Sequence, residues 1–218
     1  MKKLIGILRS VGSVILLIIG LLFCVILFAV ILRLIQAFLF VPKDYLIWTV
    51  NPPGKYVFFI IAFLISDLWL KLFHEKKTKP VNKKNLILAS IITVVLLYVQ
   101  ITSVSVFTGE EIINYSFIHP VAKEYLYTDI SSVQTGVYGN DIPIVRDKGD
   151  FYYIVTFDDG TKINLMDMSG EASHDTYSQI ENIDKIIMSK GVKKISSEDN
   201  IELVQLDKTY IERFKRII

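Results

Sequence analysis

The residue with the clearest potential for chemistry is Asp67, a carboxylate within a long run of apolar side chains, YVFFIIAFLISDLWLKLF at residues 56–73. A carboxylate is costly inside a membrane and often takes part in function there, by accepting a proton or by binding a partner helix. Lys71 follows four residues later, at the spacing that brings two side chains together on one helix. Two hypotheses therefore stay open for Asp67: a functional intramembrane acid, or a local pair with Lys71.

Three further side chains are of the types that hold a helix at the membrane surface. Arg33 ends the uncharged part of the first apolar segment, Trp48 lies in the loop that follows, and Trp69 is close to Lys71. Tryptophan is enriched at the level of the lipid headgroups, and long basic side chains extend toward them. We expect Arg33, Trp48 and Trp69 to anchor the membrane helices.

The remaining reactive residue types lack the spacing that catalytic or metal sites need. The three histidines are scattered, and Cys24 is the single cysteine, so neither a zinc site nor an internal disulfide is expected. The turn at residues 158–160 lacks the ligand spacing of a calcium loop. Neither a phosphate-binding loop nor a nucleophile elbow occurs in the sequence. We predict no catalytic residue, cofactor or metal, and therefore a protein that is not an enzyme.

These residues would be positioned by three apolar segments. A hydrocarbon core of ~30 Å requires about 20 apolar residues in helical conformation. We predict transmembrane helices at about residues 11–40, 56–73 and 86–107, which together form a membrane domain at residues 1–107. The first run is too long for the apolar part of a cleaved signal peptide.

The distribution of charge predicts how the chain crosses the cell membrane. Residues 1–107 carry 12 lysines and arginines against 3 acids, a net of +9, whereas residues 108–218 carry 12 against 19, a net of −7. Basic loops stay in the cytoplasm, and the amino terminus and the loop at residues 74–84 are both basic. We therefore expect a cytoplasmic amino terminus and an extracytoplasmic carboxy-terminal domain. The acidity of that domain argues against nucleic-acid binding.

The carboxy-terminal half has the short alternating segments that are typical of an α+β domain. Strand composition, rich in β-branched and aromatic residues, occurs at residues 129–138, 150–157 and 162–166. Asp159 and Gly160 separate the last two segments and predict a β-hairpin. Helical spacing of apolar residues predicts one helix at residues 173–190 and another near the carboxy terminus. A short strand is expected after the first of them.

The sequence therefore predicts a linker at residues 108–125 and a soluble α+β domain at residues 126–218. The stretches YTDISSVQTGVYG and FYYIVTFDDGTKINL resemble the strand rhythm of bacterial membrane-attached pleckstrin-homology-like domains. The whole layout is similar to small uncharacterised three-helix membrane proteins of low-GC Gram-positive bacteria. The resemblance implies a small antiparallel sheet or a pleckstrin-homology-like barrel, and it implies no activity, cofactor or site residue.

We interpret the chain as a multi-pass membrane protein with an extracytoplasmic binding or interaction domain, such as a sensor, an immunity factor or an accessory subunit. Its partners would be the lipid bilayer and another membrane or envelope protein, and the sequence does not fix an oligomeric state. One alternative is a subunit of an oligomeric transporter or channel that uses Asp67. A second alternative is a cytoplasmic signalling or scaffold domain, which would require the opposite topology.

Overall fold

The computed structural model describes residues 2–51, 83–142, 147–167 and 174–218, together with residues 54, 56–58, 60 and 61. Two long apolar helices occur in this part of the chain, α1 (Lys2–Phe40) and α2 (Lys83–Thr102). Within α1, Ile18–Phe40 is long and apolar enough to cross a membrane, and only 6% of it is buried inside the protein. It is the one such span among the described residues. Residues 62–73 of the predicted second span lie outside them, with Asp67, Trp69 and Lys71.

The first sheet contains four short strands that come from two separate parts of the chain. They are β1 (Ile47–Val50), β2 (Val104–Phe107), β3 (Glu111–Asn114) and β4 (Lys123–Leu126). Neighbouring strands pair antiparallel in the order β1-β2-β3-β4. β1 follows α1 after a short connection, and β2 follows α2 almost directly. The sheet therefore begins at the point where the two apolar helices end.

This sheet corrects two predicted boundaries. The helix predicted at residues 86–107 ends at Thr102, where the hydroxyls of Thr102 and Ser103 donate to helix carbonyls four residues earlier. The β-branched residues that follow extend as β2 and pair on both sides. Residues 108–125, predicted as a linker, contain β3 and most of β4, since the backbone of β3 bonds to both neighbouring strands.

The second sheet confirms the predicted α+β domain. It has the order β7-β6-β5-β8 and consists of β5 (Ile130–Val137), β6 (Phe151–Phe157), β7 (Lys162–Asn164) and β8 (Lys193–Ser196). The predicted hairpin joins β6 to β7, and β8 runs parallel to β5. Between β7 and β8 lies α3 (His174–Ser189), which ends before Gly191 in the left-handed region, at φ +74°. The short helix α4 (Lys208–Lys215) lies near the carboxy terminus.

Both sheets contribute to one shared hydrophobic cluster of buried residues. The first sheet supplies Ile47, Phe107, Ile112 and Tyr125, and the second supplies the inward-facing residues of β5, β6 and β7. Ile180, Ile183 and Ile187 of α3 are fully buried against them, at the helical spacing that the sequence indicated. The α+β domain therefore includes β1 and β2, and it is packed directly against the ends of α1 and α2.

Candidate binding pocket

The core-facing side of the first sheet changes from apolar to polar along its strands. Side chains two residues apart on a strand share a face, so the register of the four strands defines two parallel rows. The apolar row, in the core, is Ile47, Phe107, Ile112 and Tyr125. The polar row beside it is Thr49, Ser105, Asn114 and Lys123. Each strand contributes one residue to each row.

The polar row is held together by hydrogen bonds with Asn51. The amide nitrogen Nδ2 of Asn51 donates to Ser105 Oγ and, over 2.9 Å, to Asn114 Oδ1. Ser105 Oγ donates to the same Asn114 oxygen over 2.6 Å, and Thr49 Oγ1 donates to Asn51 Oδ1 over 3.3 Å. Thr49 and Ser105 are completely buried. A partly buried network of this kind holds its side chains in one arrangement.

The turn of the β6–β7 hairpin forms the opposite wall. Its Asp159 accepts hydrogen bonds through Oδ2 from Lys123 Nζ at 2.5 Å and from Tyr125 Oη at 2.8 Å, while Oδ1 accepts from the Thr161 amide at 2.9 Å. The hydrogen bond from Lys123, followed by those from Thr161 and Tyr125, holds the pKa of the Asp159 carboxyl well below its usual range. The same pairing raises the pKa of Lys123. Both groups therefore remain charged at neutral pH.

Between the polar row and the hairpin lies a cavity of about 250 Å³. Its charged lining consists of Lys123, Lys162 and Asp159, so cationic groups outnumber the anionic one. Most of the remaining lining consists of hydroxyl, amide and imidazole groups, from Asn51, Ser103, Asn114, Tyr115, Ser116, His119, Tyr125 and Thr161, and Ile163 completes it. Pockets for drug-sized ligands have volumes of ≈ 300–1,000 Å³, so this pocket suits a smaller polar group.

The pocket lies directly beside the ends of the two apolar helices. Ser103, which lines it, follows the last residue of α2, and its carbonyl accepts a bond from the Asn51 amide at 3.0 Å. The ring of Phe40, the last residue of α1, packs 4.7 Å from that of Tyr115. Close by, Gln36 of α1 donates to the carbonyl of Gln100 of α2 at 2.8 Å, and both glutamines are buried. The helices and the pocket are therefore parts of one packed structure.

The residues that the sequence analysis selected lie apart from this pocket or outside the described residues. Arg33 is exposed on α1, and Trp48 is half-buried on the face of β1 opposite to the polar row. Asp67, Trp69 and Lys71 are not among the described residues. Their predicted roles in pairing and anchoring remain predictions. In the part of the chain that the structure describes, no group of three or more histidine, cysteine, aspartate or glutamate residues could hold a metal ion.

A second polar cluster lies within the α+β domain, away from the pocket. Asp184 of α3 accepts hydrogen bonds through one oxygen from Tyr153 Oη and from Lys194 Nζ, both at 2.7 Å. Tyr153 is fully buried, and burial together with the Asp184 charge raises the pKa of its hydroxyl strongly. The cluster joins α3 to β6 and β8. We assign it a structural role because none of its members lines the pocket.

No family model matches the chain, and the comparisons with curated proteins and with solved structures found no match either. The features of the molecule that bear on its function are therefore the geometry of the pocket and its position beside the apolar helices.

Proposed function

We propose that the chain is a multi-pass protein of the cell membrane whose extracytoplasmic domain binds a small polar ligand close to the membrane surface. The observation that carries this proposal is the preformed pocket, in which polar groups from three strands (β3, β4 and β7) and four connecting segments converge on one cavity. Binding sites are concave and have few but fixed polar groups, and the hydrogen-bonded polar row meets that description. A sensor or an accessory subunit would use such a pocket to recognise a compound at the cell surface.

The path of the chain between α1 and α2 supports three membrane crossings. Asn51 lies beside Ser103 at the end of α2, whereas Lys83 begins that helix, about 30 Å away by helical rise. The chain must therefore return along the length of the helices between residues 51 and 83. The described residues 56–58 are helical, and the ring of Phe58 stacks on Phe28, which precedes the end of α1 by about 18 Å of helix. A second crossing at residues 56–73 supplies this path.

The same packing argues against removal of the first apolar segment as a signal peptide. α1 continues without a break to Phe40, and its last two turns contact α2 and the loop after β3. Cleavage within or after α1 would remove the packing of Phe40 against Tyr115, which lines the pocket. The basic amino terminus and the basic loop at residues 74–84 support placing the pocket outside the cell.

The antiparallel strands and the terminal helix α4 support the proposed resemblance to pleckstrin-homology-like domains. β8 departs from that pattern because it pairs in parallel with β5. The two alternative functions, an oligomeric transporter that uses Asp67 and a cytoplasmic scaffold, gain no support from the described residues.

Cysteine labelling in intact cells tests the placement of the domain. We would replace Cys24 by serine and introduce Lys190→Cys, an exposed position after α3. Gly160 is unsuitable because its φ of +83° disfavours a side chain. A membrane-impermeant thiol reagent should label Lys190→Cys in intact cells as strongly as in lysed cells. Labelling only after lysis would place the domain in the cytoplasm and refute the proposal.

Photo-crosslinking tests whether the pocket is occupied. A photoreactive amino acid at Ser116, in the pocket lining, should form a defined adduct in living cells, and the mass of that adduct identifies the chemical class of the ligand. The same amino acid at the exposed Lys190 serves as the matched control and should not form it. Identical products at both positions, or none at Ser116, would contradict a specific binding site.

A further inference from the structure

The loop between β3 and β4, residues 115–122, is unusually apolar for a surface loop. Its sequence, YSFIHPVA, contains no lysine, arginine, aspartate or glutamate. Phe117, Ile118 and Val121 are exposed to 42%, 66% and 83%. Single exposed apolar residues are ordinary, whereas several close together on an exposed surface mark contact with a protein or a membrane.

The position of this loop favours the membrane as its contact. Tyr98 of α2 donates a hydrogen bond to the carbonyl oxygen of Phe117 at 3.2 Å, and Tyr98 lies one turn before the end of that helix. The loop therefore extends back along the last turn of an apolar helix whose outward side chains, such as Val94 and Val95, are themselves exposed. A lipid layer that covers α2 also reaches Phe117.

The pocket lies against the same loop. Tyr115, Ser116 and His119 belong both to the loop and to the pocket lining. The pocket has a local excess of positive charge, from Lys123 and Lys162 against Asp159, within a carboxy-terminal half that carries a net of −7. Lysine ammonium groups with hydroxyl and amide donors are typical partners of phosphate oxygens.

We propose that the pocket binds the phosphodiester headgroup of a bilayer lipid while Phe117, Ile118 and Val121 insert into the outer leaflet. This inference rests on the proposed function and names its ligand class. A cavity of about 250 Å³ accommodates a phosphodiester with a small polar substituent, while the acyl chains remain in the bilayer beside α2. Lys123, already oriented by Asp159, and Lys162 at the rim bind the phosphate oxygens.

The test uses the full-length protein, purified in a non-ionic detergent and freed of lipid. Phosphatidylglycerol is titrated into the micelles, and the fraction of protein that retains one lipid is measured by native mass spectrometry. Lys162→Gln should weaken binding about tenfold, since a charge-assisted hydrogen bond to the phosphate is lost. Lys193→Gln removes the same charge from an exposed position of β8 that does not line the pocket, and should bind like the wild type. Equal loss in both variants, or in neither, would overturn the assignment.

A second arm separates a lipid from a free phosphate ester. Phosphatidylglycerol should bind at least about tenfold more tightly than soluble glycerol 3-phosphate, and replacing Phe117, Ile118 and Val121 together by serine should abolish that difference. Equal affinity for both compounds in the wild-type protein would refute the lipid assignment and leave a soluble phosphate ester as the ligand. If neither compound binds while Ser116 still forms its adduct in cells, the headgroup inference fails and the proposed binding function stands.

Discussion

Removal of the Asp184 carboxylate should destabilise the α+β domain by about 3 kcal/mol. In the variant Asp184→Ala, the buried Tyr153 hydroxyl loses its acceptor and Lys194 loses its counter-ion. An unsatisfied buried hydroxyl costs ≈ 1–3 kcal/mol, and removal of one partner from a fully buried ion pair costs 3–5 kcal/mol. The side chains of Lys194 and Asp184 retain 17% and 13% of their exposure. Water therefore partly solvates the Lys194 charge that remains in the variant. The lower end of the ~3–5 kcal/mol range for a buried ion pair applies.

The free energy of unfolding would be measured by urea titration of the full-length protein in detergent micelles, with pulse proteolysis to report the unfolded fraction. Asp184→Asn keeps the volume and an acceptor for Tyr153, so it should cost clearly less than Asp184→Ala. Lys185→Ala changes the neighbouring exposed residue and should remain within about 0.5 kcal/mol of the wild type. A loss below about 1 kcal/mol in Asp184→Ala would mean that the cluster behaves as a surface ion pair and would refute this reasoning.

Three further predictions concern the backbone, alkaline stability and the helix contact. Gly149→Ala should lower the free energy of unfolding, measured by urea titration, by about 2 kcal/mol or more. The φ of Gly149 is +92°, and a Cβ added there would lie 2.5 Å from a backbone oxygen. Gly160→Ala is also at positive φ but in open space, so it should lower the free energy of unfolding by less. Burial, followed by the charge of Tyr210, raises the pKa of Tyr177 to about 12. The stabilisation that comes from the buried neutral Tyr177 should therefore be complete below pH ~10 and decrease as the pH rises toward 12. The free energy of unfolding should decrease less over this pH range in Tyr177→Phe. Gln36→Leu removes the hydrogen bond to the Gln100 carbonyl and should lower the free energy of unfolding by about 1 kcal/mol. The variant in micelles should therefore unfold at a lower temperature than the wild type.

The parts of the fold that could be predicted are those whose signals are local. The β6–β7 hairpin follows from two β-rich runs around Asp159 and Gly160, and α3 follows from isoleucines at helical spacing with Gly191 at the end. Each of these features is contained within about 20 residues. A single sequence can therefore specify them without knowledge of the partners with which they pack.

The first sheet could not be predicted because its first pairing, of β1 with β2, is distant in sequence and because the composition of β2 is ambiguous. The residues of β2 are as apolar as the helix before them, and composition cannot distinguish a short buried strand from the end of a helix. Trp48 and its neighbours fitted the interfacial belt equally well, since the partner of β1 begins more than 50 residues later. The pocket depends on this sheet. Asn51, Asn114 and Lys123 form no local motif and meet only when the register of four strands is known.

The placement of β1 ahead of the second membrane segment has a consequence for biosynthesis. In the proposed topology, β1 is translocated with the first outer loop, whereas β2 emerges only after two more crossings. The interval from Val50 to Val104 is 104 − 50 = 54 residues, which takes about 3–11 s to synthesise at ≈ 5–20 residues/s. For that time β1 is an unpaired strand beside the membrane, with its backbone donors and acceptors open to other chains. The domain is thus completed only late in insertion, and an early arrest of translation would leave a fragment that is prone to mispairing.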